Sequence, residues 1–211
     1  IEIETPDREN AAYFAGHNIE IRDDDPDYPA LELVNFMVGG GFLNSRLAER
    51  LRQKEGFSYS VGSSLRVSPL DESGELWVYA IHAPQNREEV AQAIREELVK
   101  VVEEGFTSDE LEAAREGYLR QQQTDRNTDR VVVSRVSSSL YLDRTFQWDE
   151  ELERKIRELT LEELNRVAAE FIDPDRLTVV QAGDFSGSSA REEESQASRG
   201  RDGTPSGGGT R

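Results

Sequence analysis

The chain has 211 residues with 43 acidic and 25 basic side chains, and its formal net charge is −18. A protein that binds nucleic acid needs a basic surface to neutralise phosphates, so this balance predicts no nucleic-acid partner. The lack of cysteine excludes disulfides, thiol catalysis and cysteine-ligated zinc, and no apolar run approaches the ~20 residues of a membrane span. A cysteine-free chain suits the periplasm and the cytoplasm equally, so composition does not select a compartment.

A change in composition divides the chain after Phe185. Residues 186–211 are rich in Gly and Ser and contain no aliphatic side chain larger than Ala, so they cannot bury a core. We therefore predict one folded domain over residues 1–185 and a disordered tail or linker over residues 186–211. Because the chain begins at Ile1 and its only methionine is Met37, we expect a processed chain or a piece of a longer one.

The periodicity of apolar residues predicts a strand and two helices at the start of this domain. The strand covers residues 11–19. The first helix begins near Asp27 and ends at the glycines 39–41, and a shorter helix covers residues 45–55 and stops at Gly56.

A period of two residues then indicates two paired strands. In the first of them, one face carries Tyr59, Val61, Ser63, Leu65 and Val67. Residues 75–83 are apolar on both faces, which is typical of a central strand. The turn-like residues between these strands predict a hairpin.

The remaining pattern is mostly helical. It predicts a helix at 86–104 and another across 131–142. Capping boxes at Thr107 and Thr160 each predict the start of a further helix, and the last predicted element is a strand at 176–183. Residues 120–130 are so polar that we expect them to cross the surface. The element order β-α-α-β-β-α-α-α-β, with 131–142 continuing a helical segment, predicts an α+β fold: a mostly antiparallel sheet with helices packed on one face.

The two histidines do not form a metal-binding pattern. The stretch HNIE at 17–20 begins like the inverted zinc motif H-x-x-E-H, but Ile21 stands where the second His is needed. It also lies in a predicted strand, where residues three apart point to opposite faces. His82 lies in an apolar strand and is interpreted as a core or edge histidine. We predict no metal site in this chain.

The triplet Gly39, Gly40 and Gly41 in front of a helix allows two interpretations. A nucleotide-binding loop would need the Lys-Ser/Thr ending of a Walker loop or the spacing G-x-G-x-x-G, and neither is present. A tight turn between helices is therefore favoured. Calorimetry with ATP and GTP would test the nucleotide alternative.

Arg52 and Tyr59 stand on the two sides of the predicted helix–strand corner, seven residues apart. A guanidinium offers fixed donors to carbonyl or carboxylate oxygens, and a phenol offers one neutral donor. Such donors suit peptide recognition and the stabilisation of a tetrahedral oxyanion. The spacing alone leaves a second interpretation open, in which Arg52 pairs with a neighbour such as Glu55 and Tyr59 packs into the domain.

The run GGGFLNSRLAERLRQKEGFSYSVGSS at 39–64 is similar to a segment of the pitrilysin/insulinase/mitochondrial-processing-peptidase family of zinc metallopeptidases, the inverzincins. That segment has a glycine turn, S-R-L, L-R-x-K-x-G and then a Tyr in a serine-rich strand. The resemblance extends upstream to residue 23 and downstream to the segments 101–119 and 159–184, so it covers about residues 10–185.

This resemblance implies a role for each candidate residue. Members of the family have two homologous halves that close around a peptide, and only one half carries H-x-x-E-H and binds zinc. This chain resembles the other half, which contributes an Arg and a Tyr. Tyr59 would then donate to the scissile carbonyl or oxyanion, and Arg52 would hold a nearby substrate carbonyl or support Tyr59. The turn at Gly39, Gly40 and Gly41 would lie near the chamber wall, close to the peptide backbone.

The resemblance also implies the partners. They are a zinc-bearing homologous half, in the same longer chain or in a separate subunit, and an extended peptide substrate. This chain would hold no cofactor and would be inactive alone. An isolated half exposes surface meant for its partner, so a homodimer is a further expectation. Because some family members have lost catalysis, an assembly or scaffold subunit is the alternative function; an H-x-x-E-H motif in the neighbouring coding sequence would discriminate the two.

Overall fold

A computed structural model describes residues 1–187, so residues 188–211 of the predicted tail lie outside the described part. The strands of its sheet are β1 (Glu2–Glu4), β2 (Ala11–Ile19), β3 (Ser58–Val67), β4 (Gly74–His82) and β5 (Thr178–Gly183). They follow the order β1-β5-β2-β4-β3. β1 is parallel to β5 and all other neighbours are antiparallel, which confirms the predicted sheet.

Helices fill the connections between the strands. They are α1 (Tyr28–Asn35), α2 (Arg87–Glu103), α3 (Ser108–Asp125), α4 (Asp129–Tyr141), α5 (Gln147–Glu158) and α6 (Leu161–Phe171). Two further segments have π-helical hydrogen bonds that reach five residues back: π1 (Phe36–Gly40), which continues α1, and π2 (Ala48–Lys54). The two predicted helices around the glycine triplet are therefore present, with wider turns than an α-helix. None of the described helices is both long and apolar enough to span a membrane.

The sheet has one face covered by helices and one open face. In β4 the side chains of Leu76, Val78 and Ala80 are buried against the helices, while the alternating Trp77 and Tyr79 are half-buried on the open face. The rings of Phe14, Trp77 and Tyr79 lie side by side there, with centroids 5.8–6.4 Å apart. β4 lies between β2 and β3, as the prediction of a central strand requires.

The hydrophobic core fills the space between the covered face and the helices. Its members with less than 2 % exposure include Leu33, Leu47, Leu51, Ile94, Ile156 and Leu164. Burial of one such side chain contributes about 1.5–3 kcal/mol, so π2, through Leu51, is held by the same core as the sheet.

Local signals set the helix ends as predicted. The Thr107 hydroxyl accepts from the Glu110 N–H at 3.3 Å and the Thr160 hydroxyl accepts from the Glu163 N–H at 3.2 Å, completing both capping boxes. Gly105, with φ +71°, ends α2 in the left-handed region that glycine adopts without strain.

Two elements of the structure were not predicted, and a third segment has a structure that the polarity alone did not specify. Residues 120–130 are mostly exposed, as predicted, and the first part of them, 120–125, continues α3, because Arg and Gln favour a solvated helix. Helix α5 was missed although Trp148, Leu152 and Ile156 stand four apart, and β1 was missed because its exposed side chains show no alternation. The observed order therefore contains one more strand and more helices than predicted.

Candidate functional site

Segment π2 packs one side into the core and presents Arg52 to solvent. Leu51 is fully buried, and the Arg50 guanidinium donates to Glu96 at 2.5 Å and to Glu55 at 3.3 Å. The bond to Glu96 ties π2 to α2. The alternative in which Arg52 pairs with Glu55 is not observed, because Arg50 bonds that carboxylate and Arg52 is exposed.

Hydrogen bonds fix the corner that joins π2 to β3. The chain reverses at Gly56, with φ +68°, where an added Cβ would meet no other atom within 4 Å but the backbone would be strained. The Phe57 N–H then donates to the Leu51 carbonyl at 2.8 Å, and the Asn86 side-chain amide donates to the Phe57 carbonyl at 3.1 Å. The start of β3 is therefore held against both π2 and the loop before α2.

Tyr59 occupies a β-bulge at the start of β3. The ladder pairs Ser58 with His82 and Ser60 with Ile81, so Tyr59 is the extra residue between two pairs. The alternating pattern placed Tyr59 on the face of Val61; instead, Val61 is 8 % exposed and Tyr59 is 65 % exposed. The prediction that Tyr59 shares a face with Val61 is wrong, because the bulge breaks the alternation.

Arg52 and Tyr59 share a further property. Within residues 1–187, neither side chain has a hydrogen-bond or ion-pair partner, and both are exposed. Most guanidinium groups around them are paired, as Arg46 is with Glu110 at 2.8 Å. The structure thus places two unpartnered donors on one hydrogen-bonded corner.

The glycine triplet contacts the strand that carries Tyr59. An added Cβ on Gly39 would lie 2.3 Å from the Ser63 nitrogen and 2.7 Å from the Gly62 carbonyl carbon, so π1 packs directly on the backbone of β3. Gly39 is buried, whereas Gly40 and Gly41 are half-buried. A close approach of backbones, which only glycine permits, therefore explains Gly39.

Two buried polar side chains of β3 were not found in the sequence. The Ser63 hydroxyl donates to the Asn35 side-chain oxygen at 2.8 Å and lies 3.0 Å from the Asn35 carbonyl, which joins β3 to α1. The Ser58 hydroxyl, which has one hydrogen to donate, lies 2.7 Å from the Ser60 carbonyl oxygen and 2.9 Å from the Ile81 carbonyl oxygen. The serine-rich character of the strand was the only available signal, since periodicity does not report hydrogen bonds.

The structure shows the surroundings of the buried histidine, His82. His82 is fully buried, its Nδ1 lies 2.8 Å from the Ala83 carbonyl, and its Nε2 has no partner in the described part of the chain. Burial lowers the pKa of His82, against the opposing effect of that hydrogen bond. Among residues 1–187, no group of three or more His, Asp or Glu side chains is placed to hold a metal ion.

A cavity of about 840 Å³ lies at the other end of β3. Its lining includes His17, Arg66, Glu75, Asp173 and Arg176, and none of its lining residues comes from the corner with Arg52 and Tyr59. The unpartnered donors therefore do not line this cavity.

The comparisons with known proteins agree with the resemblance seen in the sequence. The family model described as "Peptidase M16 inactive domain" matches residues 1–118. An uncharacterized zinc protease of Mycobacterium leprae is 31% identical over 147 residues, which are 68% of this chain and 32% of that protein. The non-peptidase homolog YmxG of Helicobacter pylori is 26% identical over 160 residues, 75% of this chain and 36% of that protein. The chain thus spans about a third of the length of these relatives.

Solved structures share the fold. A peptidase M16 inactive domain from Pseudomonas fluorescens has a TM-score of 0.74 at 22% identity, covering 86% of this chain and 42% of that chain. A protease from Helicobacter pylori has a TM-score of 0.73 at 18% identity, covering 86% and 43%. The family model covers more than half of the sequence, from β1 through most of α3, and the chain therefore belongs to the peptidase M16 family, as an inactive domain of this zinc protease family.

Proposed function

We propose that this chain is the non-zinc half of a peptidase that hydrolyses peptides in a chamber closed by a homologous, zinc-bearing half. The observation that carries the proposal is the pair of exposed, unpartnered donors, Arg52 and Tyr59, on a rigid corner. The relatives named zinc proteases are about three times as long as the match, which leaves room for a second half in the same polypeptide; a separate subunit would serve equally.

In this proposal the two donors act on the substrate backbone. The Tyr59 hydroxyl would donate to the scissile carbonyl as it becomes an oxyanion, and loss of one such donor costs roughly 10²–10³ in rate. The Arg52 guanidinium would donate to a neighbouring substrate carbonyl and fix the register of the peptide. Zinc held by the partner half would polarise the same carbonyl and activate the attacking water.

The glycine triplet would adjoin the bound peptide. Gly40 and Gly41 are half-buried and lie on the segment that packs against β3, so their backbone could approach a substrate strand without a side chain intervening. The role of Gly39 in this proposal is to seat that segment on β3.

The test needs the complete enzyme, expressed as the full-length gene or by co-expression of this chain with a half that carries H-x-x-E-H. Peptide cleavage is followed with a quenched fluorescent peptide library. We expect activity only when both halves are present, and a fall in turnover of roughly 10²–10³ for Tyr59→Phe. Turnover at the wild-type level in Tyr59→Phe would refute the role given to the phenol.

A scaffold function is the second candidate, because one relative is named a non-peptidase homolog. In that case the two halves would associate without cleaving any peptide. Size-exclusion chromatography of the co-expressed halves, combined with the same peptide library, separates the alternatives: a stable, inactive complex would favour the scaffold.

A further inference from the structure

Ser58 lies directly before Tyr59, and its side-chain hydroxyl forms hydrogen bonds at the point where the bulge interrupts the ladder between β3 and β4. Its side chain is buried, at 7 % exposure, and its hydroxyl is within hydrogen-bond distance of the carbonyl of Ser60 on its own strand and the carbonyl of Ile81 on β4. These are the two residues that form the next ladder pair. One hydroxyl thus bridges the gap that the extra residue Tyr59 creates.

The Ser58 hydroxyl reaches a carbonyl on each side of the bulge, that of Ser60 on β3 at 2.7 Å and that of Ile81 on β4 at 2.9 Å, and a net hydrogen bond of this kind contributes about 1 kcal/mol. If the hydroxyl is removed, the bulge loses the side-chain bond that bridges it. The register can then relax towards regular alternation, in which a shift by one residue turns side chains to the opposite face. Regular alternation would place Tyr59 on the face of Val61, which is packed into the core.

We propose that Ser58 is a positioning residue, whose hydroxyl holds the bulge and so keeps Tyr59 exposed towards the substrate. This inference rests on the proposed role of Tyr59. It concerns the bond that sets the direction of the phenol and not a contact of Ser58 with the peptide, because Ser58 is buried and its hydroxyl is already engaged with two carbonyls.

The test compares Ser58→Ala with Tyr59→Phe and with the double variant in the complete enzyme. Ser64→Ala is the matched control, because Ser64 lies on the same strand away from the bulge and within residues 1–187 its hydroxyl has no partner. A misplaced catalytic group costs up to about 10²-fold, so we expect Ser58→Ala to lower kcat by about tenfold or more with little change in KM. In the Tyr59→Phe background the same substitution should have no further effect, since residues that act as a unit are not additive.

A second readout reports the bulge itself. Hydrogen exchange of the backbone amides at 57–61 should become faster in Ser58→Ala and stay unchanged in Ser64→Ala. If Ser58→Ala does not fold, Ser58→Cys replaces it in the comparison, because Cys has a similar volume and a weaker donor. Ser58→Thr keeps the hydroxyl, so its turnover should be close to that of the wild type.

Each outcome decides between the two proposals. Wild-type kcat in Ser58→Ala, with Tyr59→Phe slow, would overturn the positioning role and leave the proposed function intact. An equal loss from Ser58→Ala in both backgrounds would show that Ser58 does not act through Tyr59. Wild-type turnover in Tyr59→Phe would overturn the role proposed for the phenol and this inference together, while cleavage that needs both halves would still support the proposed function.

Discussion

Replacing Gly39 by Ala tests whether this glycine is needed for the packing of π1 on β3 and not for contact with a substrate. The added Cβ would lie 2.3 Å from the Ser63 nitrogen, and non-bonded atoms of this kind normally rest about 3.5 Å apart, so β3 and π1 must separate by about 1 Å. Overpacking of this kind costs about 1–3 kcal/mol, and the bond from Ser63 to Asn35 would be lost at a cost of about 1 kcal/mol. The better helix propensity of Ala returns at most about 1 kcal/mol, so we expect a net loss of about 2 kcal/mol.

Equilibrium unfolding in urea, followed by the fluorescence of Trp77 and Trp148, measures this loss as a shift of the midpoint at constant slope. Gly40→Ala is the matched control: its Cβ would meet the Asn35 side-chain nitrogen at 3.0 Å and the Asn35 carbonyl oxygen at 3.2 Å, which are tight but not prohibitive contacts. We expect it to change stability by less than about 1 kcal/mol. Equal stabilities of the two variants would refute the close-packing argument. A stable Gly39→Ala that bound no peptide would assign Gly39 to the substrate instead.

Three further predictions concern the corner, a helix cap and the buried histidine. Tyr59→Phe should change the free energy of unfolding by less than about 0.5 kcal/mol, because the hydroxyl has no partner in the described chain; a larger loss in urea unfolding would show a structural role. Thr160→Ala should lower stability by about 1 kcal/mol and Thr160→Ser by much less, since Ser keeps the capping oxygen; equal losses would contradict the capping box. Because burial lowers the pKa of His82 in the folded state, the stability that depends on its neutral form is complete above about pH 6.5 and is lost as pH falls towards the folded-state value. Unfolding measured from pH 7.5 to 5 should show this slope, which His82→Gln should remove; an unchanged slope would locate it elsewhere.

Regular elements were predictable where their signals are local. Strand 11–19 was found with its observed bounds, and both capping boxes formed where Thr and Glu stand three apart. These signals depend on side chains within one strand or one helical turn, so no knowledge of the pairing partners is needed.

The sequence singles out residues for the candidate site, whose roles stay predictions, but it does not predict the geometry of that site. The resemblance singled out Arg52 and Tyr59, while the alternating pattern assigned Tyr59 to the face of Val61. The bulge that reverses this assignment depends on β4, which supplies the Ile81 carbonyl that the Ser58 hydroxyl bonds. The alternation of apolar and polar residues along one strand carries no information about a contact with a residue more than twenty positions away.

The position of the family match explains why the resemblance and the site coincide. The match covers residues 1–118, which include the glycine triplet, π2, the corner and the whole β3–β4 hairpin. The elements after residue 118 contact this region through the sheet and the core: β5 pairs with β2, and Leu164 of α6 lies in the same core cluster as Leu51. Substitutions in α6 should therefore act on Tyr59 only through global stability, whereas substitutions at Ser58 should act on it at unchanged stability of the core. That contrast makes the hydrogen-bonded corner, and not the domain as a whole, the unit on which the proposed chemistry depends.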